Sequence, residues 1–195
     1  MQYLTRTQLK LAQQLLDSGA VLAVPTETVY GLAVKYDHPT AIAKLLQLKD
    51  RKTQNDTKVL TLMLADRDQI ADFAILSPRA TQIAKQHFPG ELTMVLPKNP
   101  GFHNCYFDHF DTIGIRIPNH AYMLKLLRLT GPLLVTSANQ RGATPCHNAK
   151  AVAQQLPTID AIVTGRAGGG LPSTVISINN HKLAVLRQGS LVFKP

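Results

Sequence analysis

Short apolar runs alternate with stretches of helical periodicity along this chain, and that alternation limits the fold more than any other feature. The runs Val21–Val24, Val59–Leu64, Leu92–Leu96, Ile113–Ile117, Leu133–Val135 and Ala161–Val163 have the length and composition of buried strands. Between them lie helical patterns. Leu4, Leu11, Ala12, Leu15 and Leu16 share one helical face that stops at Gly19, and Pro39 opens a second helix ending near Lys49. Ser77-Pro78 starts a third, running to about His87, because the serine can cap and the proline fits the first turn. Ala121–Leu129 is a fourth, and Asn148 can cap a fifth through Leu156. Near the end, Thr174–Ile178 and Leu183–Leu186 flank Asn179-Asn180-His181-Lys182, a hairpin-like turn. Strands alternating with helices and then a hairpin predict an α/β fold: one twisted mixed β-sheet flanked by helices, with residues 1–195 as a single domain.

The bulk composition bounds the function classes. At 195 residues and 45% hydrophobic content, the chain can bury one core and is short for two full domains. No apolar run approaches the ~20 residues of a membrane span, and the mixed N-terminus lacks the apolar core of a secretory signal. The expectation is a cytoplasmic protein with no membrane partner. Cys105 and Cys146 are too few and too far apart for a zinc motif or a disulfide framework, so no protein-held metal is expected. Cys146-His147 reads more simply as loop polars than as a ligand pair. A formal charge of +9 and a pI near 9.8 favour polyanionic partners, with ATP, tRNA, ribosome and acidic protein all open. Aromatics are 6% with no tryptophan, so no stacking platform for single strands is evident.

Polar groups collect at the predicted strand ends. After Val21–Val24 comes Pro25-Thr26-Glu27-Thr28-Val29-Tyr30-Gly31-Leu32. Pro25 cannot donate to a ladder, so the strand stops or bulges there, and Gly31 allows a turn or a close ligand approach. Lys49-Asp50-Arg51-Lys52 closes the second helix. Its cations can complement the helix dipole or grip an anion, and the polar loop Thr53–Lys58 is either a lid or plain surface. Ser137 and Asn139 lie just past Leu133–Val135, where open α/β sheets bind ligands, though a simple polar turn also fits. No GxSxG elbow surrounds Ser137. Arg116, between two isoleucines of a strand, faces either solvent or an anion in a cleft. Gly168-Gly169-Gly170 can cradle phosphate or serve as a flexible loop, and no Walker A motif is present.

The ordered set of motifs resembles the YrdC family, the L-threonylcarbamoyladenylate synthases. The matching residues are PTETVYGL at 25–32, Lys49-x-Arg51, Pro89-Gly90 with Leu92-Thr93, and Thr112-Ile113-Gly114-Ile115-Arg116-Ile117-Pro118. Ser137-Ala138-Asn139, Ser173-Thr174-Val175 and Leu186-Arg187-Gln188-Gly189 complete it. Each is weak alone, and together they span nearly the whole chain. The length is that of the short bacterial form with a single domain. In one departure, Lys52 stands where members commonly carry proline, and the loop that follows is longer.

The resemblance implies an ATP-dependent nucleotidyltransferase. It would join L-threonine, bicarbonate or CO2, and ATP into threonylcarbamoyl-AMP and pyrophosphate for tRNA threonylcarbamoyladenosine modification. It also implies the site. Thr26, Arg116 and Ser173 would hold threonine, with the Val135 backbone nearby. Lys49, Arg51, Thr112, Ser137, Asn139 and Arg187 would line the ATP side, Pro145 closing over the nucleotide and Mg2+ riding on the phosphates. Lys49, Arg51, Ser137 and Asn139 are the residues expected to carry catalysis, by positioning and electrostatics. Contact with tRNA would be direct or through the transferase machinery. Two other classes remain as alternatives: a basic tRNA- or rRNA-binding maturation module without synthase activity, and a carbamoyl-handling module of the hydrogenase-maturation type.

Overall fold

Strict two-residue alternation along the strands gives the sheet two unlike faces. The computed structural model describes residues 1–50, 60–179 and 182–194. Among them, ten strands form one sheet: β1 (Gln2–Leu4), β2 (Leu22–Val24), β3 (Gly31–Lys35), β4 (Thr61–Met63), β5 (Leu92–Pro97), β6 (Thr112–Arg116), β7 (Leu133–Ser137), β8 (Ala161–Val163), β9 (Thr174–Asn179) and β10 (Lys182–Arg187). Their order across the sheet is β1-β8-β2-β3-β7-β4-β6-β5-β9-β10. Four pairs, β1/β8, β2/β8, β4/β6 and β5/β9, are parallel, and the other five are antiparallel. The sheet is therefore mixed, with six helices α1 (Leu9–Asp17), α2 (Pro39–Leu48), α3 (Ile70–Phe73), α4 (Pro78–His87), α5 (Ala121–Thr130) and α6 (Ala149–Gln155).

Odd and even strand positions serve different layers. Leu62, Met94, Leu96, Ile113, Ile115, Leu134 and Ile176 pack with α2, α3, α4 and α6 into the larger core. Leu22, Val24, Ala33, Leu133, Val135, Ala161 and Val163 point to the other face, where Ala12 and Leu16 of α1 and Met123, Leu126 and Leu127 of α5 cover them. That second cover is partial. On β4, β6, β5 and β9 the same face carries Thr61, Thr112, Gly114, Val95, Val175 and Ser177, and none of these joins either core cluster. Past Met63, this half of the sheet face is lined with small side chains, about half of them polar, and carries no helix among the described residues.

Some expectations needed correction. Leu4 falls at helical spacing with Leu11, yet it lies in β1, because Gln2–Leu4 pairs with Ala161–Val163 and buries Leu4 completely. Gly31 does not form a turn. It begins β3, and a Cβ there would lie 2.6 Å from Val135 Cγ1, so the close approach comes from a neighbouring strand. The strand predicted over 59–64 is observed at Thr61–Met63, with Val59 outside the described residues. The turn residues Asn180 and His181 are also outside them, while β9 and β10 pair as the hairpin pattern predicts. The caps at Ser77 and Asn148 accept from Ala80 N (3.2 Å) and Ala151 N (2.9 Å).

Candidate functional site

The helix-free half of the sheet face is where the polar motifs converge. Thr112 and Arg116 stand at the two ends of β6 on this face, about 13 Å apart at ~3.3 Å per residue. Between them is Gly114. A Cβ added there would meet Thr93 Cγ2 at 3.8 Å, Leu60 O at 3.9 Å and Thr61 Cα at 4.0 Å, so a methyl would fit in ordinary contact along the floor. A glycine inside a strand often marks a place where another group approaches the backbone.

One wall is built around Arg116. Its Nη2 donates to Glu27 Oε1 at 2.8 Å and Thr28 Oγ1 at 3.0 Å, and its Nε to Gly90 O at 3.2 Å. Two strands, β7 and β4, separate β3 from β6, so residues 25–30 must reach Arg116 across the sheet face. The segment is stiffened from within. Thr26 Oγ1 donates to Val29 O at 2.7 Å and accepts from Thr28 N at 3.1 Å, and Tyr30 OH lies 3.0 and 2.9 Å from the carbonyls of Val163 and Gly165. Burial pushes the Tyr30 phenol up to about 12, against the opposing pull of Arg6, so the hydroxyl stays a donor.

The facing wall belongs to Ser173. Its hydroxyl is 2.8 Å from Thr93 Oγ1, and Arg187 grips it with Nη2 on Ser173 O at 2.7 Å and on Oγ at 3.3 Å. Burial lowers the Arg187 pKa, and the positive charge of Arg116 lowers it further. Two guanidiniums therefore influence each other here, and the Glu27 carboxylate is paired with one of them, Arg116.

At the other end of the groove, Lys49 caps α2 and is buried. Its ammonium donates to Ser137 O at 2.9 Å, to Asn139 O, and to Asn139 Oδ1 at 3.4 Å. Asn139 Nδ2 in turn donates to Gln140 O (2.8 Å) and Ala143 O (2.7 Å), folding the turn after β7. The lysine and the Ser-x-Asn pair, far apart in sequence, are thus one cluster. Next to it, Cys146 O accepts from Tyr30 N at 2.9 Å, which places Pro145 beside the end of the Thr26–Tyr30 segment.

The structure thus groups Thr26 with Arg116, Ser173 with Arg187, and Lys49 with Ser137 and Asn139. Thr112 is half-buried at the start of β6 on the groove face. Val135 is a central-strand residue paired to both Ala33 and Thr61, its side chain in the α1/α5 core beside the groove on the same face. Arg51 and the Lys52–Lys58 loop lie outside the described residues. The glycine run is no phosphate cradle at two of its three positions, because Gly168 N donates to Thr26 O and Gly169 N to Thr28 O, both at 3.0 Å. Thr93, Thr28 and Gly114 had no role assigned from sequence. Only the lone glycine within an apolar strand offered a signal. No group of three or more His, Cys, Asp or Glu side chains among the described residues is placed to hold a metal ion, and no described helix is long and apolar enough to cross a membrane.

A mixed sheet with a helix-free half-face among the described residues, two buried arginines and a buried lysine behind a Ser-x-Asn turn offers fixed positive charge and hydroxyls of the kind that suit a small anionic ligand. The chain belongs to the Sua5, YciO and YrdC family, described as "Telomere recombination", whose profile matches residues 14–189. It is 34% identical over 180 residues to a threonylcarbamoyl-AMP synthase of Vibrio parahaemolyticus, covering 89% of this chain and 95% of that protein. Its fold superposes on P. abyssi Sua5 complexed with L-threonine with a TM-score of 0.87 at 30% identity, over 97% of this chain and 57% of Sua5. E. coli YciO shares the fold at 23% identity and a TM-score of 0.86, covering 97% and 95% of the two chains. The chain thus spans a little over half the length of Sua5.

Proposed function

We propose that this protein is an L-threonylcarbamoyladenylate synthase, a nucleotidyltransferase that makes threonylcarbamoyl-AMP and pyrophosphate from L-threonine, bicarbonate or CO2, and ATP. The observation that carries the proposal is the pair of buried guanidiniums, Arg116 held by Glu27 and Arg187 held by Ser173, near enough for each to feel the other's charge. A threonine carboxylate seated between them would meet positive charge locally, and the Ser173 and Thr93 hydroxyls offer it neutral partners.

In the reaction, the amine of threonine adds to CO2, losing a proton and forming a carbamate. A carbamate oxygen then attacks the α-phosphorus of ATP, and the bond to the bridging β-phosphate oxygen breaks to release pyrophosphate. Two anions meet in this step, so catalysis depends on fixed positive charge and on alignment. Lys49 supports the Ser137–Asn139 turn that would face the phosphates, with Thr112, Pro145 and Arg187 lining the nucleotide side. Arg51 belongs to the same assignment through its motif. Mg2+ would be carried on phosphate oxygens and would neutralise part of the triphosphate charge. Thr26 acts by shaping the threonine wall, and Val135 lies beside it. The +9 charge supports a further contact with tRNA, directly or through the transferase that consumes the product.

The test is pyrophosphate release from ATP in bicarbonate buffer, with and without L-threonine. Threonine-dependent release is expected, falling by roughly 100-fold or more in Lys49→Ala and Ser137→Ala, the cost of a lost transition-state contact. Folded protein that shows no threonine-dependent release, even with the tRNA-modifying partners present, would refute the assignment.

A further inference from the structure

Glu27 contributes only one of its two carboxylate oxygens to the protein. Oε1 accepts from Arg116 Nη2 at 2.8 Å and from Asn119 N at 2.9 Å. Oε2 is shielded from solvent and has no hydrogen-bond partner among the described residues. A buried carboxylate oxygen without a donor is destabilising, and an arriving ligand N–H would relieve that cost. The His120 ring lies close enough to feel the Glu27 charge but makes no hydrogen bond to Oε2, and the other donors around the carboxylate are engaged elsewhere. Arg116 Nη2 and Asn119 N are on Oε1, and the Thr28 hydroxyl sits between Arg116 Nη2 and Thr26 Oγ1.

We propose that Glu27 recognises the α-amino group of the amino-acid substrate, with Oε1 fixing Arg116 and Oε2 accepting the substrate N–H. The inference rests on the threonine assignment above and adds a residue to it. In an α-amino acid the ammonium and the carboxylate are bonded to the same carbon. A carboxylate seated on Arg116 therefore brings the ammonium beside any acid that shares that guanidinium, and Glu27 is that acid. Arg116 has its Nε and Nη2 engaged by protein, and no acceptor is recorded at Nη1 among the described residues, so one edge remains for the ligand. The contact also survives the chemistry. When the ammonium becomes a carbamate nitrogen it keeps one N–H, which still donates to Oε2.

The test is calorimetric binding of L-threonine and of 3-hydroxybutanoate, which keeps the carboxylate and hydroxyl but lacks the amine. In the native protein, loss of the amine is expected to weaken binding roughly 10- to 100-fold, the worth of a hydrogen bond to a charged group. Glu27→Gln keeps an acceptor for Arg116 and Asn119 but presents an amide NH2 in place of Oε2. The two ligands should then bind within about 3-fold of each other. An equal amine penalty in native protein and Glu27→Gln would overturn the proposal and leave the synthase assignment intact. If Glu27→Gln does not fold, Glu27→Asp withdraws the carboxylate by one methylene, and an undiminished amine penalty there overturns it too. Native protein that binds neither ligand and releases no pyrophosphate overturns the underlying assignment as well.

Discussion

Arg116 shows both what a single residue can reveal in sequence and what it cannot. An arginine between isoleucines of a strand is anomalous enough to flag, and its alternatives were solvent or an anion. What the sequence does not contain is its protein partner Glu27, brought near only by a segment crossing the sheet face. Because both side chains are largely buried, at 5% and 13% exposure, removing one leaves the other uncompensated. Arg116→Ala is expected to cost about 3 kcal/mol of stability, and Arg116→Ala with Glu27→Gln less than the sum of the two single changes. Chemical denaturation of the four variants measures the coupling. Thr93 was legible only as part of a motif, since its contact with Ser173 depends on the parallel register of β5 and β9.

At the scale of elements, the helices and their polar caps were readable where chemistry is local. Ser77-Pro78 and Asn148 start α4 and α6 as their residue types dictate. The starts of α2 and α5 were less plain, because histidine fills the cap: His38 and His120 Nδ1 accept from Ala41 N and Met123 N, both at 3.4 Å. That role requires an unprotonated Nδ1. Burial lowers the His120 pKa below its ordinary 6.5, with Glu27 raising it and Arg6 lowering it. The unfolded chain therefore takes up the proton first, and stability is lost as pH falls below about 6.5. His120→Asn supplies an uncharged cap, and melting temperatures across pH 5 to 8 should show a flatter acid limb. β3 was missed because its approach, Pro25–Tyr30, is polar and looks like the end of structure. On β6, Gly114 has room for a Cβ and no left-handed backbone to protect. Gly114→Ala should leave stability unchanged or raise it by about 0.5–1 kcal/mol at most, read as an equal or higher melting temperature, while reducing kcat/KM as the methyl occupies the groove. Equal activity with equal stability would show that the floor is not used.

For the whole molecule, the alternation of apolar runs with helical patterns is enough to set the class of fold, a mixed sheet with helices on it. The strand order was not available from it. β7 inserts between β3 and β4, and β8 between β1 and β2, so neighbours in the sheet are distant in sequence. The helix-free half-face follows from that order, since among the described residues α1 and α5 pack over β2, β3 and β7 and not over β6, β5 and β9. Net charge acts at this scale too. With +9 overall, tRNA affinity should fall steeply between 50 and 200 mM salt, with a log–log slope of about −0.7 to −0.9 per phosphate neutralised. Filter binding should give the same slope for Arg116→Ala, a groove residue, even as threonine-dependent pyrophosphate release is lost.

The bonds from Gly168 and Gly169 to the carbonyls of Thr26 and Thr28 carry one more consequence. A Cβ at Gly168 would sit 2.8 Å from Glu27 O, so only glycine lets these two stretches of chain lie together. They join the segment leading to Ser173 directly to the segment holding Glu27, making one cast piece of the amino-acid side. On the assignment proposed above, a ligand would find these two segments already joined, and the cost of ordering them on binding would be small.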